Sequence, residues 1–267
     1  MFRNLTYIPY VVYVSLLFIL LILGSFPITL LLLLFPDRIK DKGMFLLMKL
    51  ISNCWFILIG FFPKNYHRSK IDFSKSYMIT ANHQSFLDAA IIYTSIPHVF
   101  KSLGKKEIEK APIYGIIYKT VVVTVDRSSM TARANSLRKM KRELDNGNSI
   151  LIFPEGTFTD QPQEALVPFQ SGGFSLALMQ EVDILPVLFL DTSRRIHPSK
   201  LWKMTPGMNR AVFLPPIPHT HFGKKEGDQL RDFTQSYMQA CLDFCRTHNP
   251  ELVWEFGVNW QSENKTT

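Results

Sequence analysis

The chain has 267 residues, 46% of them hydrophobic and 19% charged, a size that supports a sizeable core without disulfide or metal staples. Disulfide miniproteins and disordered tails are excluded, and a mean hydropathy of +0.05 is too low for a polytopic transporter. The net charge of +8 admits nucleic acid, phosphate-bearing substrates or anionic lipid as partners.

Apolar weight is concentrated at the N-terminus: after Arg3, the next charged residue is Asp37. Ile8 to Phe35 is a run of 28 uncharged residues, which as one helix is about 42 Å long against the roughly 30 Å of a hydrocarbon core. Gly24, Ser25 and Pro27 sit inside it, and an interior proline predicts a break into a long and a shorter segment. A second stretch, Met44 to Phe62, contains Lys49, Ser52 and Asn53 and fits an interfacial or re-entrant helix. The run is far longer than a signal-peptide h-region. Residues 1–63 are therefore expected to form a retained helical membrane anchor, spanning or re-entrant as a two-helix hairpin. The polar segment Lys64 to Lys75 is the expected boundary, with few core contacts crossing it. The lipid-like N-terminus favours membrane lipids over nucleic acid as the partner of the positive charge. The basic run Arg133, Arg138, Lys139, Lys141 and Arg142 reads as a solvated helix face, with membrane-facing charge as the alternative.

From Pro63 onward short β-like runs alternate with helical stretches, the pattern of an α/β domain over residues 64–260. Strands are expected at Tyr77 to Ala81, Val121 to Val125, Ser149 to Phe153, Ile184 to Leu190 and Arg210 to Leu214. Helices are expected at Phe86 to Ile96, Thr131 to Leu144, Gly173 to Gln180 and Gln229 to Arg246. Residues 261–267 read as a flexible tail. Cys54, Cys241 and Cys245 are an odd set without zinc spacing, implying a reducing compartment and no metal.

Two polar clusters follow apolar strands, where sites collect in α/β sheets. In Asn82-His83-Gln84-Ser85-Phe86-Leu87-Asp88, the imidazole and carboxylate lie about 140° apart if both are inside one helix, so they cannot pair there. They can pair across its beginning, with Ser85 as N-cap and Asp88 in the first turn, leaving the second ring nitrogen as a base. A capping box at Ser85 and Asp88, with His83 satisfying the turn, is the alternative. The second cluster is Phe153-Pro154-Glu155-Gly156-Thr157-Phe158-Thr159, which offers a close-approach glycine, a hydroxyl donor and a carboxylate acceptor.

Together, His-x4-Asp and Phe-Pro-Glu-Gly-Thr, about 70 residues apart behind an apolar N-terminus, resemble the glycerolipid acyltransferases of the lysophosphatidic acid acyltransferase type. The resemblance covers Tyr77 to Phe189. It extends to Gly104-Lys105-Lys106-Glu107-Ile108 with Pro112 and Gly115, to Val125-Asp126-Arg127, to Pro168-Phe169 with Gly172-Gly173-Phe174, and to Leu185-Pro186-Val187. It implies a mixed sheet flanked by helices behind the anchor, and a catalytic domain on the cytoplasmic face of the membrane. It also implies that His83 deprotonates a lysophospholipid hydroxyl, most simply that of 1-acyl-glycerol-3-phosphate, while Asp88 stabilises the imidazolium. Glu155, Gly156 and Thr157 would position the glycerol part, and Arg127 and Lys105 would clamp phosphate. The acyl group would come from acyl-CoA or acyl carrier protein as co-substrate, with no further cofactor. Phe158 and Gln170 stand where the family often has basic residues, which keeps a lyso-aminolipid or another lysophospholipid as alternative acceptor. Two remoter readings are a serine esterase built on Gly173-Phe174-Ser175-Leu176-Ala177, with a downstream histidine (His197, His219, His221 or His248) and Asp183 or Asp191, and a non-catalytic lipid-binding scaffold.

Overall fold

A computed structural model of the protein describes residues 7–125, 129–157 and 165–264. Its centre is a seven-stranded sheet formed by β1 (Phe61–Tyr66), β2 (Met78–Ala81), β3 (Phe100–Lys105), β4 (Val122–Val125), β5 (Ser149–Ile152), β6 (Ile184–Phe189) and, after a two-stranded hairpin, β9 (Gly207–Phe213). The hairpin pairs β7 (Ile196–His197) with β8 (Lys200–Met204). Spatial order is β1-β9-β6-β2-β5-β3-β4, and only the β6/β9 pair is antiparallel. The expected mixed sheet flanked by helices is what the chain forms.

The central strands read as continuous apolar runs because both faces are covered. In β6 the period of two is visible: Leu185, Val187 and Phe189 enter one core, Ile184 and Leu188 the other. The first core is closed by α2 (Asp37–Leu58), α3 (Asp88–Ser95) and α4 (Tyr114–Val121). The second is closed by α5 (Met130–Asp145), α6 (Gly172–Met179) and α8 (Gly227–Thr247). On α5 the side chains of Arg138, Lys139, Lys141 and Arg142 are exposed, while Met140 and Leu144 are buried.

The N-terminal pair departs from expectation in two ways. The first helix, α1 (Tyr7–Leu32), runs through Pro27, and the chain turns at residues 33–36 instead. Pro27 has no N–H to give to the Leu23 carbonyl, and beside it Ser25 and Thr29 donate their hydroxyls to the carbonyls of Ile22 and Ser25. More consequentially, α2 is a layer of the domain. Met44, Phe45, Met48, Ile51 and Phe56 are buried in the same core as Ile79, Ile91 and Leu185, and Asp41 forms an ion pair of 2.7 Å with the buried Lys101 of β3. The boundary expected near Pro63 is thus crossed by core contacts, and β1 itself straddles it. By contrast α1 leaves Val12, Leu16, Ile19, Leu20 and Leu23 exposed and is the one described helix long and apolar enough to cross a membrane. It lies against α2 through Trp55, whose indole N–H donates to the Val14 carbonyl, and through Leu32 over Gly43.

At the other terminus the helix α9 (Val253–Asn264) continues past the point where a tail was expected, and Gln261 donates to the Pro215 carbonyl. A short helix α7 (Thr192–Arg195) follows β6.

Candidate active site

The strands β2 and β5 are parallel neighbours, so the two polar clusters that follow them emerge side by side at the same edge of the sheet. This is the edge at which α/β sheets place their ligands. Asn82 fastens the first turn: its side-chain amide donates to the Phe189 carbonyl and accepts from the Phe189 N–H, at 3.0 and 2.7 Å. Ser85 fastens it again, donating its hydroxyl to the Ile196 carbonyl at 2.7 Å.

Between these two anchors His83 Nδ1 donates to Asp88 Oδ2 over 3.0 Å. The pairing across the helix start expected from the five-residue spacing is therefore present. Hydrogen bonding begins α3 at Asp88, and the carboxylate reaches back to accept the N–H groups of Gln84 and Ser85 on the same Oδ2, at 2.7 and 2.8 Å. The N-cap of α3 is thus Leu87, without a side-chain cap, where Ser85 was expected, and of the capping box only the carboxylate reaching back to the Ser85 N–H is present. Asp88 is fully buried, and its Oδ1 has no hydrogen-bond partner among the described residues. Three N–H donors and the positive end of a helix make that position favourable for a carboxylate.

The second turn holds the imidazole from the other side. Phe153 stacks on the His83 ring with centroids 4.0 Å apart and planes 16° from parallel. Glu155 lies beneath, only 4% exposed, and accepts the His83 N–H on Oε1 at 2.8 Å and the Val167 N–H on Oε2 at 3.0 Å. Burial raises its carboxyl pKa above the ordinary value, partly offset by those two N–H groups. Gly156 turns the chain with φ of +70°, a conformation other residues adopt at a cost, and its N–H closes the turn onto the Phe153 carbonyl.

The other expected site residues are dispersed. Thr157 is exposed just beyond the glycine. Lys105 is exposed at the end of β3, two strands from β2. Arg127 and Phe158 lie outside the described residues. Gln170 is exposed and donates its backbone N–H to the Pro154 carbonyl, beside the second turn. Two contributors were not assigned a role from the sequence, Phe153 as a stacking plate and Asn82 as a clamp, and Ser85, expected as an N-cap, also ties the turn to β7. All three stand inside the recognised motifs, but a motif names residue types without saying which way they face.

The arrangement can remove a proton. With Nδ1 committed to Asp88, the imidazole tautomer that results carries its basic lone pair on Nε2, and the buried carboxylate stabilises the imidazolium formed. For the esterase alternative, Ser175 lies within α6, packed so closely on Gly227 that a Cβ there would sit 2.2 Å from its hydroxyl. Among the described residues no histidine is hydrogen-bonded to it. His219 pairs instead with Asp183 at 2.8 Å, beside the start of β6 and away from the catalytic turn.

Residues 63–190 match the family model for an acyltransferase domain. The chain is 29% identical over 161 residues to the 1-acyl-sn-glycerol-3-phosphate acyltransferase of Escherichia coli, covering 60% of this chain and 64% of that protein. It is 27% identical over 171 residues to the enzyme of the same name from Saccharomyces cerevisiae, covering 63% and 55%, and 33% identical over 118 residues to that of Haemophilus influenzae, covering 43% and 48%. The chain thus spans about half to two thirds of the length of these relatives. Its fold matches the crystal structure of the 1-acyl-sn-glycerophosphate acyltransferase from Thermotoga maritima with a TM-score of 0.75 at 20% identity, over 92% of this chain and 98% of that one. The motif blocks, the family model and the fold converge: residues 63–190 of the chain form an acyltransferase domain, similar to that of enzymes named 1-acyl-sn-glycerol-3-phosphate acyltransferase.

Proposed function

We propose that the protein is a membrane-associated O-acyltransferase that transfers a fatty acyl group from an acyl thioester to the free hydroxyl of 1-acyl-glycerol-3-phosphate, giving phosphatidic acid. The observation that carries this is the His83–Asp88 pair, held between two turns at the ligand-binding edge of the sheet. His83 Nε2 takes the hydroxyl proton as the oxygen attacks the thioester carbonyl. A C–O bond forms, the C–S bond breaks, and the proton passes to the departing thiolate. No acyl-enzyme is required. We assign Glu155 to positioning, since each of its oxygens already accepts a backbone N–H, and leave Gly156 and Thr157 on the acceptor side with Lys105 and Arg127. Gln170 beside the second turn favours a second reading, an acceptor with less phosphate charge, such as a lyso-aminolipid.

The test is turnover of purified protein on a panel of lysolipids with acyl-CoA and acyl carrier protein donors. Conversion of lysophosphatidate that fails in His83→Ala supports the reading. A folded wild-type protein inert on every lysolipid and donor overturns it.

We also propose that α1 supplies attachment to the cytoplasmic face of the membrane, which spares the cost of lifting acyl chains into water, about 0.8 kcal/mol per methylene. The test distinguishes α1 from α2. Deleting residues 1–36 should leave a cooperatively folded protein that no longer sediments with phospholipid vesicles. Deleting residues 1–60 should abolish cooperative unfolding, because losing several buried side chains at about 2–5 kcal/mol each exceeds a total stability of about 5–15 kcal/mol. Release of the full-length protein by high salt would refute apolar anchoring, since salt does not screen it.

A further inference from the structure

On the side of β2 away from Lys105, a cavity of about 240 Å³ opens against the catalytic turn, lined in part by Gln84, Ser193, Arg194, Arg210, Arg246 and His248. Gln84 is the neighbour of His83. The cavity is rigidly indexed to it: the Asn82 clamp joins the ends of β2 and β6, and the Leu190 N–H donates to the Arg210 carbonyl, holding β9 at the same edge. Apart from Leu190, Leu242 and Cys245, its lining residues bring hydrogen-bond donors, and none of the described lining residues is a carboxylate. Arg210 is fixed from behind by Asp191 through bonds of 2.8 and 2.7 Å, and Arg246 by Asp243 at 2.6 Å. Arg194 is exposed, and among the described residues no carboxylate lies within ion-pair distance of it. Charge is therefore left over on the positive side, in a concavity of preset guanidinium groups, the geometry that suits a planar-fork contact with phosphate.

We infer that this cavity is a phosphate subsite for one of the two substrates of the transfer reaction, an inference that rests on the acyltransferase reading. The sheet order supports a division of labour. The catalytic turn leaves β2 at the centre, with Lys105 two strands to one side and this basic cavity against β6 and β9 on the other. A two-substrate transfer needs a site on each side of its base. The phosphate is either that of a nucleotide-thiol donor or the monoester of the acceptor, and the two sources are separable.

The experiment measures binding of CoA, 3′-dephospho-CoA and glycerol 3-phosphate to the full-length protein in detergent by calorimetry, for wild type, Arg194→Ala, Arg194→Glu and His83→Ala. Arg194→Ala should weaken the subsite's ligand about tenfold, as expected for a lost charged hydrogen bond, and Arg194→Glu should weaken it further. Loss confined to CoA assigns the donor, with 3′-dephospho-CoA showing whether the monoester is the group held. Loss confined to glycerol 3-phosphate assigns the acceptor. Affinities unchanged in Arg194→Glu for all three probes, or no binding of any probe by wild type, overturn the subsite. Phosphate binding that depends on Arg194 in a protein without transferase turnover leaves the subsite standing and defeats only the acyltransferase reading. His83→Ala should abolish turnover and leave these affinities in place.

Discussion

The turn after β2 and the turn after β5 look alike in sequence, each a polar cluster with one carboxylate at the end of an apolar strand, yet they use that carboxylate oppositely. Asp88 gathers a side-chain donor along with two backbone N–H groups, and so holds a reactive group. Glu155 gathers backbone alone, the N–H of His83 in the first turn and that of Val167 twelve residues further along the chain, and so holds a shape. The difference teaches that a motif residue can be essential in two ways, through chemistry or through the placing of another residue's chemistry. Kinetics separates them: loss of chemistry removes kcat at its source, whereas loss of placement lowers kcat in part and leaves substrate affinity nearly intact.

The largest effect falls on the first turn. His83→Ala should lower kcat by at least about 100-fold, the low end for a positioned general base, with an unchanged thermal unfolding profile. A folded variant with near-normal turnover would break the comparison at its centre. Asp88→Asn comes next, at roughly 10- to 100-fold in kcat, because an amide oxygen in the place of Oδ2 still accepts the three donors but carries no charge to stabilise the imidazolium. Its thermal stability should fall as well, since two backbone N–H groups share that oxygen in the native protein. An Asp88→Asn protein with full stability and lost turnover would confine Asp88 to chemistry.

How far these turns were legible follows from what encloses them. The strands β2, β5 and β6 are buried on both faces and so announce themselves as short apolar runs. The imidazole–carboxylate pairing was legible too, because a five-residue spacing leaves one geometry in which it works. Strands β1 and β3 were not legible. β1 is an edge strand and tolerates Pro63, which read as a boundary. β3 buries Lys101, a residue no strand pattern anticipates, because its partner Asp41 arrives from α2, distant in sequence. The helix α2 read as part of an anchor because Met44 to Phe62 is apolar, and it folds as part of the domain because its buried side chains and Asp41 find their partners in the α/β core. The stacking of Phe153 on His83 is likewise a contact across 70 residues that no local spacing encodes.

The smallest effect tests the second turn. Glu155→Gln keeps one acceptor and presents an NH2 to the other N–H, leaving a buried donor unmet at a cost of about 1–3 kcal/mol. If Glu155 acts by placing His83, kcat should fall roughly tenfold, since small misplacements of a base are costly, while KM for both substrates stays near the wild-type value. A raised acceptor KM with unchanged kcat would instead put Glu155 on the glycerol. The pH dependence of stability gives an independent reading. Burial raises the folded pKa of Glu155 above the ordinary 4.5, so the folded state holds its proton to higher pH than the unfolded chain does. Its contribution to stability is therefore fully present below pH 4.5 and is lost as pH rises through the raised folded value. Glutamine does not titrate, so the thermal-stability advantage of wild type over Glu155→Gln should narrow from pH 4.5 toward neutrality. An advantage that widens over the same interval would mean that the buried carboxylate is favoured in its charged form, and that the two N–H groups outweigh its desolvation.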